Sequence, residues 1–232
     1  GESPRGEPAR PLTAAEKANI QEAIEVVGQG VGLTFVETSE SDPHILFAAG
    51  PSAAGEAAGR AFNRVNAPEQ VWAYDDGYDS PDGLAENTYI YKHELLHGLG
   101  LRHSSEIYGA TGPVVIPAAE SEGTTLFGEW WPYWQNDIQV FDLAALQYLH
   151  GPDPEARAGD DTYTLIPAAF DPDGPRSQWP LLWDGGGFDT LDYTDNTGGI
   201  TVSLAPGSVN RLGASLDAGI LDAGTFSINY NT

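Results

Sequence analysis

The chain has 232 residues, a formal net charge of −24, and neither cysteine nor methionine. This length allows one large domain, or a domain with a smaller module, and so acidic a surface repels nucleic acid and anionic membranes, which excludes both as expected partners. The lack of cysteine excludes disulfides and thiolate zinc sites, and no stretch of the sequence is long and apolar enough to span a bilayer.

The N-terminal part of the chain predicts a tail followed by a helix. Residues 1–12 are rich in proline, glycine and charge, and we expect them to form a flexible tail. Thr13 and Glu16 have the T-x-x-E spacing of a capping box, which marks the start of a helix that ends near Gly28. The apolar face of this helix is expected to hold Ile20, Ala23, Ile24 and Val27.

Three strands and two further helices follow in the predicted order. The strands are expected at residues 33–38, 44–49 and 71–74, where short runs of apolar residues occur. The second helix is expected at about residues 85–99, and the third at residues 136–149. The apolar face of the third helix is expected to hold Ile138, Phe141, Ala145 and Leu149.

The composition and pattern of the sequence change after the third predicted helix. Residues 104–135 show no strong period and predict a long ordered loop before it. From residue 152 onward, turns rich in glycine and aspartate separate short β-like runs. We therefore expect a domain at residues 13–151 and a β-rich module at residues 152–232.

The segment HELLHGLGLRH fits the pattern H-E-x-x-H-x-x-G-x-x-H at every fixed position. His93 and His97 are four residues apart, so they point from one helix face and can share a zinc ion. Gly100 can take the left-handed conformation that ends a helix, so that the chain turns back and His103 supplies a third nitrogen. Three ligands leave a position for water, and Glu94 can act as the general base.

This complete motif resembles that of the metzincin zinc metallopeptidases. Three more segments are similar to the serralysin-like branch, bacterial proteases with a β-roll module: FDLAALQYLHG at residues 141–151, RAGDDTY at 157–163 and WDGGGFDTLDY at 183–193. The resemblance covers about residues 13–215. It implies an α+β fold, in which a metzincin catalytic domain with a twisted mixed sheet and helices precedes a short, calcium-binding, β-roll-like module.

The chain departs from this family at one turn. The family places a methionine in a tight turn beneath the zinc, with a tyrosine two residues later that approaches the metal. The corresponding stretch is TTLFGEWWPYW, residues 124–134, in which Leu126 or Phe127 takes the place of the methionine. A hydrophobic side chain of similar volume can replace this methionine at small cost. No residue is assigned to the role of the tyrosine.

The resemblance also implies a calcium site between two facing segments. The implied ligands are the carboxylates of Asp161, Asp184 and Asp189 and the backbone carbonyls of Arg157, Gly159 and Gly186, with Asp192 as a further candidate. Hard oxygen ligands on tight turns suit calcium. The alternative is an ordinary hairpin with aspartate and glycine in its turns.

Residues and resemblance together predict a secreted, extracellular bacterial endopeptidase that is a monomer, binds zinc and calcium, and hydrolyses peptide or protein substrates. The strand at residues 71–74 is expected to be the sheet edge to which a substrate adds. The aromatic residues Trp130, Trp131, Tyr133 and Trp134 either wall the substrate site or pack in the core. Two alternatives are a catalytically silent metzincin homologue that binds peptides or proteins, and a calcium-dependent adhesion or structural module in which the zinc motif is incidental.

Overall fold

The structure is a computed structural model, and it describes residues 6, 8–39, 43–51, 59–62, 69–75, 88–103, 125–127, 138–164, 181–192, 200–201, 203–205, 208–212 and 225–230. The helices are α1 (Ala14–Gly28), α2 (Thr88–Gly98) and α3 (Val140–His150). The strands are β1 (Ile45–Gly50), β2 (Gly59–Phe62), β3 (Glu69–Tyr74), β4 (Thr162–Thr164), β5 (Leu181–Asp184), β6 (Thr190–Asp192), β7 (Ile200–Thr201), β8 (Ser208–Leu212) and β9 (Thr225–Tyr230). The described elements form a mixed α+β fold, and none of the described helices is long and apolar enough to cross a membrane.

The chain divides into two compact units. The first consists of residues 1–28 and 34–102, and the second of residues 29–33 and 103–232. Helices α1 and α2 and strands β1 to β3 belong to the first unit, and α3 and strands β4 to β9 belong to the second. The domain boundary predicted at residue 151 stays a prediction.

Helix α1 begins where the sequence predicts it. Thr13 N donates to Glu16 Oε2 at 2.6 Å, and Glu16 N donates to Thr13 Oγ1 at 3.2 Å, so the two residues cap the helix reciprocally. Ile20, Ala23 and Val27 are buried, which confirms the predicted face. Ile20 and Ala23 belong to a core cluster that also contains residues of β3 and α2.

The first unit contains a three-stranded mixed sheet in the order β1-β3-β2, with β1 parallel and β2 antiparallel to β3. The predicted strands at residues 44–49 and 71–74 are confirmed as parts of β1 and β3. The strand predicted at residues 33–38 is wrong, since these residues belong to no strand and Val36 is 78% exposed. The strand propensity of a residue reflects how its side chain packs against neighbouring strands. Among the described residues, no strand pairs with residues 33–38.

One face of this sheet packs against the two helices of the first unit. Val71 of β3 belongs to one buried cluster with Tyr91 of α2. Side chains alternate along a strand, so the next residue, Trp72, lies on the opposite face and forms a second cluster with Ala48 of β1. The sheet therefore supports α2, the helix that carries the histidine motif.

Residues 8–12 are attached to the first unit, so the predicted flexible tail does not extend to them. Arg10 N donates to Ala49 O at 2.9 Å. The Arg10 guanidinium donates to Glu16 Oε2 at 2.9 Å and to Asp75 Oδ2 at 3.0 Å. One cation thereby bridges two carboxylates, and the side chain of Glu16 is fully buried, which fixes Arg10 on the first unit.

The second unit combines α3 with two small sheets. β4 pairs with β6 in parallel, and a mixed four-stranded sheet has the order β5-β9-β8-β7. Gly30 packs on Trp183 so closely that a Cβ would lie 2.4 Å from the indole ring, and its φ of +77° suits glycine. Gln147 Nε2 of α3 donates to Gly30 O at 2.8 Å. The segment after α3 is rich in β-structure, while the predicted β-roll stays a prediction.

Helix α3 confirms the predicted third helix, but its buried face differs from the prediction. Val140, Leu143 and Leu146 are buried, whereas Leu149 is 49% exposed. The buried residues Val140, Leu143 and Leu146 are spaced by three, which is less than the 3.6 residues of a helical turn. The buried stripe therefore moves around the helix, and Leu149 lies on the side opposite to Val140. Residues 136–137 lie outside the described part of the chain.

Candidate metal centre and active site

Two of the three predicted zinc ligands share one face of α2, although residues 85–87 of the predicted helix lie outside the described residues. The rings of His93 and His97 lie 4.9 Å apart at an interplanar angle of 79°. His97 Nδ1 lies 3.0 Å from Leu101 O. A carbonyl can only accept, so Nδ1 carries the hydrogen and the lone pair of the neutral ring is on Nε2, the atom that can bind a metal. The Tyr89 hydroxyl lies 3.2 Å from His93 Nδ1 and restricts the orientation of that ring.

The chain reverses after α2 and brings the third histidine back. Gly100 has a φ of 102°, the left-handed conformation that the motif predicts for it. The ring nitrogens of His93, His97 and His103 all lie within 4.8 Å of one another, and all three side chains are half-buried. An all-imidazole donor set of this kind suits zinc. The structure thus brings the predicted ligands together, and their role in metal binding stays a prediction.

Glu94 lies on α2 directly after the first histidine and is 7% exposed. Burial raises the pKa of Glu94 to about 8, while a hydrogen bond from the Ala61 backbone and the positive charge of Arg60 act in the opposite direction. Both of these groups belong to β2. A cation beside the carboxyl would likewise favour its ionised form.

A short turn at residues 125–127 lies against the third histidine. The ring of Phe127 lies 5.2 Å from the ring of His103, with an interplanar angle of 33°. Both Leu126 and Phe127 are buried, and the contact with the imidazole favours Phe127 as the residue in the place of the family's methionine. The other residues of the predicted loop at 104–135 lie outside the described residues, including Trp130, Trp131, Tyr133 and Trp134.

A buried aspartate on α3 holds this turn. Asp142 is 2% exposed, and it accepts hydrogen bonds from Thr125 Oγ1 at 2.5 Å, Leu126 N at 2.6 Å and Gln139 N at 2.9 Å. The Asp142 carboxylate therefore caps the N-terminus of α3 and at the same time accepts the hydrogen bonds that the turn donates. The sequence contained no usual capping signature here, since glutamine and aspartate replace the Ser/Thr and Glu/Gln of the capping box.

Three of the predicted calcium ligands also converge. The carboxylates of Asp161, Asp184 and Asp189 lie within 4.8 Å of one another. Asp184 Oδ1 accepts from Gly186 N at 2.8 Å, and its Oδ2 accepts from the Tyr163 hydroxyl at 2.5 Å. Burial and the bond to this carboxylate both raise the pKa of Tyr163.

The two segments that carry these carboxylates are packed directly against each other. Gly185 N donates to Ala156 O at 2.9 Å, and a Cβ at Gly187 would lie 2.0 Å from Gly159 O. Gly159, whose backbone carbonyl is a predicted calcium ligand, is therefore brought to the turn that carries the aspartates. Arg157 has a φ of +54°, and its guanidinium lies 5.4 Å from the centre of the Tyr163 ring.

The calcium ligands stay predictions. Among the described residues, the carboxylate of Asp192, which lies at the end of β6, does not join the group of three. Like charges at such short range repel one another. A bound divalent cation would relieve this repulsion.

The strand predicted to bind substrate has a different place in the sheet. Residues 71–74 lie in β3, which pairs with β1 on one side and β2 on the other, so the predicted edge strand is wrong. Among the described residues, β2 pairs with β3 alone and is the sheet edge that packs against α2. The four residues of β2 are all half-buried and carry no hydrophobic alternation, so the sequence offered no signal for this strand.

Comparison with known proteins points to one group of peptidases. No protein-family model matches the chain. The chain is 27% identical over 157 residues to serralysin C of Dickeya chrysanthemi, which covers 60% of this chain and 33% of that protein. It is 25% identical over 235 residues to metallopeptidase AprA of Pseudomonas marginalis, which covers 87% of this chain and 49% of that protein. Serralysin G of Dickeya chrysanthemi is 29% identical over 142 residues, with coverages of 52% and 29%.

These similarities support a distant, metzincin-like relationship to the serralysin-type metallopeptidases, and they suggest a hydrolase that acts on peptide bonds. The matched region spans between 29% and 49% of the length of these curated relatives. The mixed α+β architecture of the described residues is consistent with a serralysin-related domain.

Proposed function

We propose that the protein is a zinc-dependent metalloendopeptidase. The observation that carries this proposal is the convergence of three histidine ring nitrogens within 4.8 Å, next in the chain to a buried glutamate. A zinc ion held by His93, His97 and His103 would supply a Lewis acid that lowers the pKa of a bound water. Three nitrogen ligands with one further position for water are typical of a catalytic rather than a structural site.

Glu94 is proposed as the general base. It accepts a proton from the attacking water and then delivers that proton to the amine that leaves. Its carboxyl is buried and directly follows His93 in the chain, and a zinc ion beside it would favour the ionised form that accepts this proton. A zinc site that served only for structure or binding would need no acidic side chain at this position.

The substrate is proposed to add to the edge of β2. An extended peptide can continue the sheet β1-β3-β2 as a fourth strand, held by hydrogen bonds between main chains. β2 packs against α2, so a peptide on its edge would pass close to the helix that carries the histidines. Recognition of the backbone suits broad specificity, and the substrates are proposed to be unfolded proteins or peptides.

Further parts of the proposal concern stability and location. Calcium bound by Asp161, Asp184 and Asp189 would tie the turns of the second unit together, in a chain that has no disulfide. We infer that the protein is a secreted, extracellular bacterial enzyme that acts as a monomer. Its charge of −24 argues against nucleic acid and anionic membranes as partners.

A chelator experiment tests the proposed function. Protein purified without added metal should contain close to one equivalent of zinc and should hydrolyse an unfolded protein. Removal of zinc by a chelator should abolish hydrolysis, and addition of zinc should restore it. Protein that binds zinc and hydrolyses no unfolded protein or peptide library would favour the alternative, a catalytically silent homologue that binds peptides.

A further inference from the structure

The edge strand β2 leaves no room for a side chain between Gly59 and Glu94. A Cβ added at Gly59 would lie 2.7 Å from Ile90 Cγ2, 2.8 Å from Glu94 Cγ and 2.8 Å from Trp72 O. Real Cβ atoms do not approach other atoms so closely, so any larger residue would have to displace β2, Ile90 or Glu94. The backbone of Gly59 has no positive φ, which means that space, rather than conformation, requires glycine at this position.

The same strand also contacts the carboxylate of Glu94. The backbone N–H of Ala61, two residues after Gly59, donates a hydrogen bond to it. β2 therefore touches the stem of the side chain through Gly59 and its charged end through Ala61. Since Glu94 is 7% exposed, few other orientations are open to it.

We propose that β2 is the element that positions Glu94 for proton transfer, with Gly59 providing the space for its side chain and the Ala61 amide fixing its carboxylate. This inference rests on the proposed function. A general base must lie within about 2.6–3.2 Å of the proton that it takes, and a displacement of about 1 Å can lower the rate about a hundredfold. Because the substrate is proposed to add to β2 as well, one strand of four residues would hold both the substrate and the base.

Kinetics of Gly59→Ala provide the first test. The variant should keep its zinc, and its kcat should fall about tenfold to a hundredfold, by a larger factor than KM rises, because the position of the base matters only in the transition state. Gly28→Ala is the matched control, since a Cβ there meets only the Phe35 ring at 3.6 Å. A folded, zinc-bound Gly59→Ala protein with an unchanged kcat would overturn the inference.

A second test needs no activity and remains decisive if Gly59→Ala does not fold. In the wild type, the Ala61 amide proton should exchange slowly and resonate downfield, as expected for a donor to a buried carboxylate. In Glu94→Ala its exchange should be at least about tenfold faster, while the Leu143 amide, which donates to Gln139 O at 3.0 Å, should be unchanged. An Ala61 amide unaffected by Glu94→Ala would refute the contact, whereas a wild type without hydrolysis would refute only the proposed function.

Discussion

The Phe127 ring packs against the imidazole of His103, with the ring centroids 5.2 Å apart and 33° between the planes. The contact restricts how the third histidine of the motif can rotate. Groups that surround a metal ligand fix its orientation and so strengthen metal binding. The chain has no methionine, and the side chain of this turn that contacts His103 is the Phe127 ring.

Replacement of Phe127 should therefore weaken zinc binding. Phe127→Ala removes the ring beside His103, and we expect the zinc dissociation constant to rise about tenfold to a hundredfold, the usual effect of losing such a neighbour. Phe127→Met should bind zinc nearly as well, because its side chain has a similar volume. Competition with a chromophoric chelator measures both constants, with Leu126→Met as the control. Wild-type affinity in Phe127→Ala would show that the ring contributes nothing to the site.

The buried carboxylate of Asp142 should be important for stability. Asp142→Asn keeps the shape but turns an NH₂ group toward donors such as Leu126 N, which lies 2.6 Å from the present oxygen. Leaving a buried donor unsatisfied costs about 1–3 kcal/mol, and more for groups bound to a charge. We expect urea denaturation to show a loss in this range, whereas Asp153→Asn, which affects one exposed bond within its own turn, should cost much less. Equal effects of the two variants would contradict this role.

Helices α1 and α2 could be predicted because their signals are local. The spacing of His93 and His97 and the capping pair Thr13 and Glu16 depend only on helix geometry. Which of Leu126 and Phe127 contacts His103 depends on the conformation of the turn. Asp142 holds this turn by accepting from Leu126 N, although the two residues are sixteen positions apart in the chain. No pattern near the turn contains that information.

The edge strand was missed for a similar reason. β2 has four half-buried residues and is identified by its pairing with β3 and its contact with α2. The run at 33–38 has better strand composition, but among the described residues it has no partner. Strand propensity is decided by neighbours that lie far away in the sequence.

The ion pair between Arg10 and Glu16 predicts an acid-sensitive contribution to stability. Burial by itself raises the pKa of the Glu16 carboxyl, but hydrogen bonds from Arg10 and Thr13 outweigh it, so the pKa is lowered. The pair therefore stabilises the fold above the unfolded-state value of about 4.3, and this contribution is lost as the pH falls through the lower folded-state value.

Denaturation with urea across the acidic range tests this linkage. The free energy of unfolding of the wild type should decline on acidification, and Glu16→Gln should show a flatter profile because it has no carboxyl to protonate. Glu25→Gln, at an exposed position of the same helix, is the control and should follow the wild type. An equally steep decline in Glu16→Gln would assign the acid sensitivity to other groups.

Calcium should raise the thermal stability of the wild type. The carboxylates of Asp161, Asp184 and Asp189 lie within 4.8 Å of one another, and a ligand that binds only the folded state stabilises it by mass action. Scanning calorimetry should show a higher Tm in millimolar calcium than in chelator. Asp184→Asn should reduce that difference, while Asp153→Asn should retain it. A wild-type Tm that does not respond to calcium would exclude this site.

The central claim is that Glu94 is the base of a zinc peptidase, and its most direct test measures hydrolysis and zinc content on the same preparations of wild type and Glu94→Ala. The substitution removes the carboxyl and leaves His93, His97 and His103 in place. We expect about one zinc per chain in both proteins and hydrolysis of an unfolded protein lowered at least about a hundredfold in the variant. Glu25→Ala should retain wild-type activity. Zinc-bound Glu94→Ala protein that hydrolyses substrate as fast as the wild type would contradict the claim.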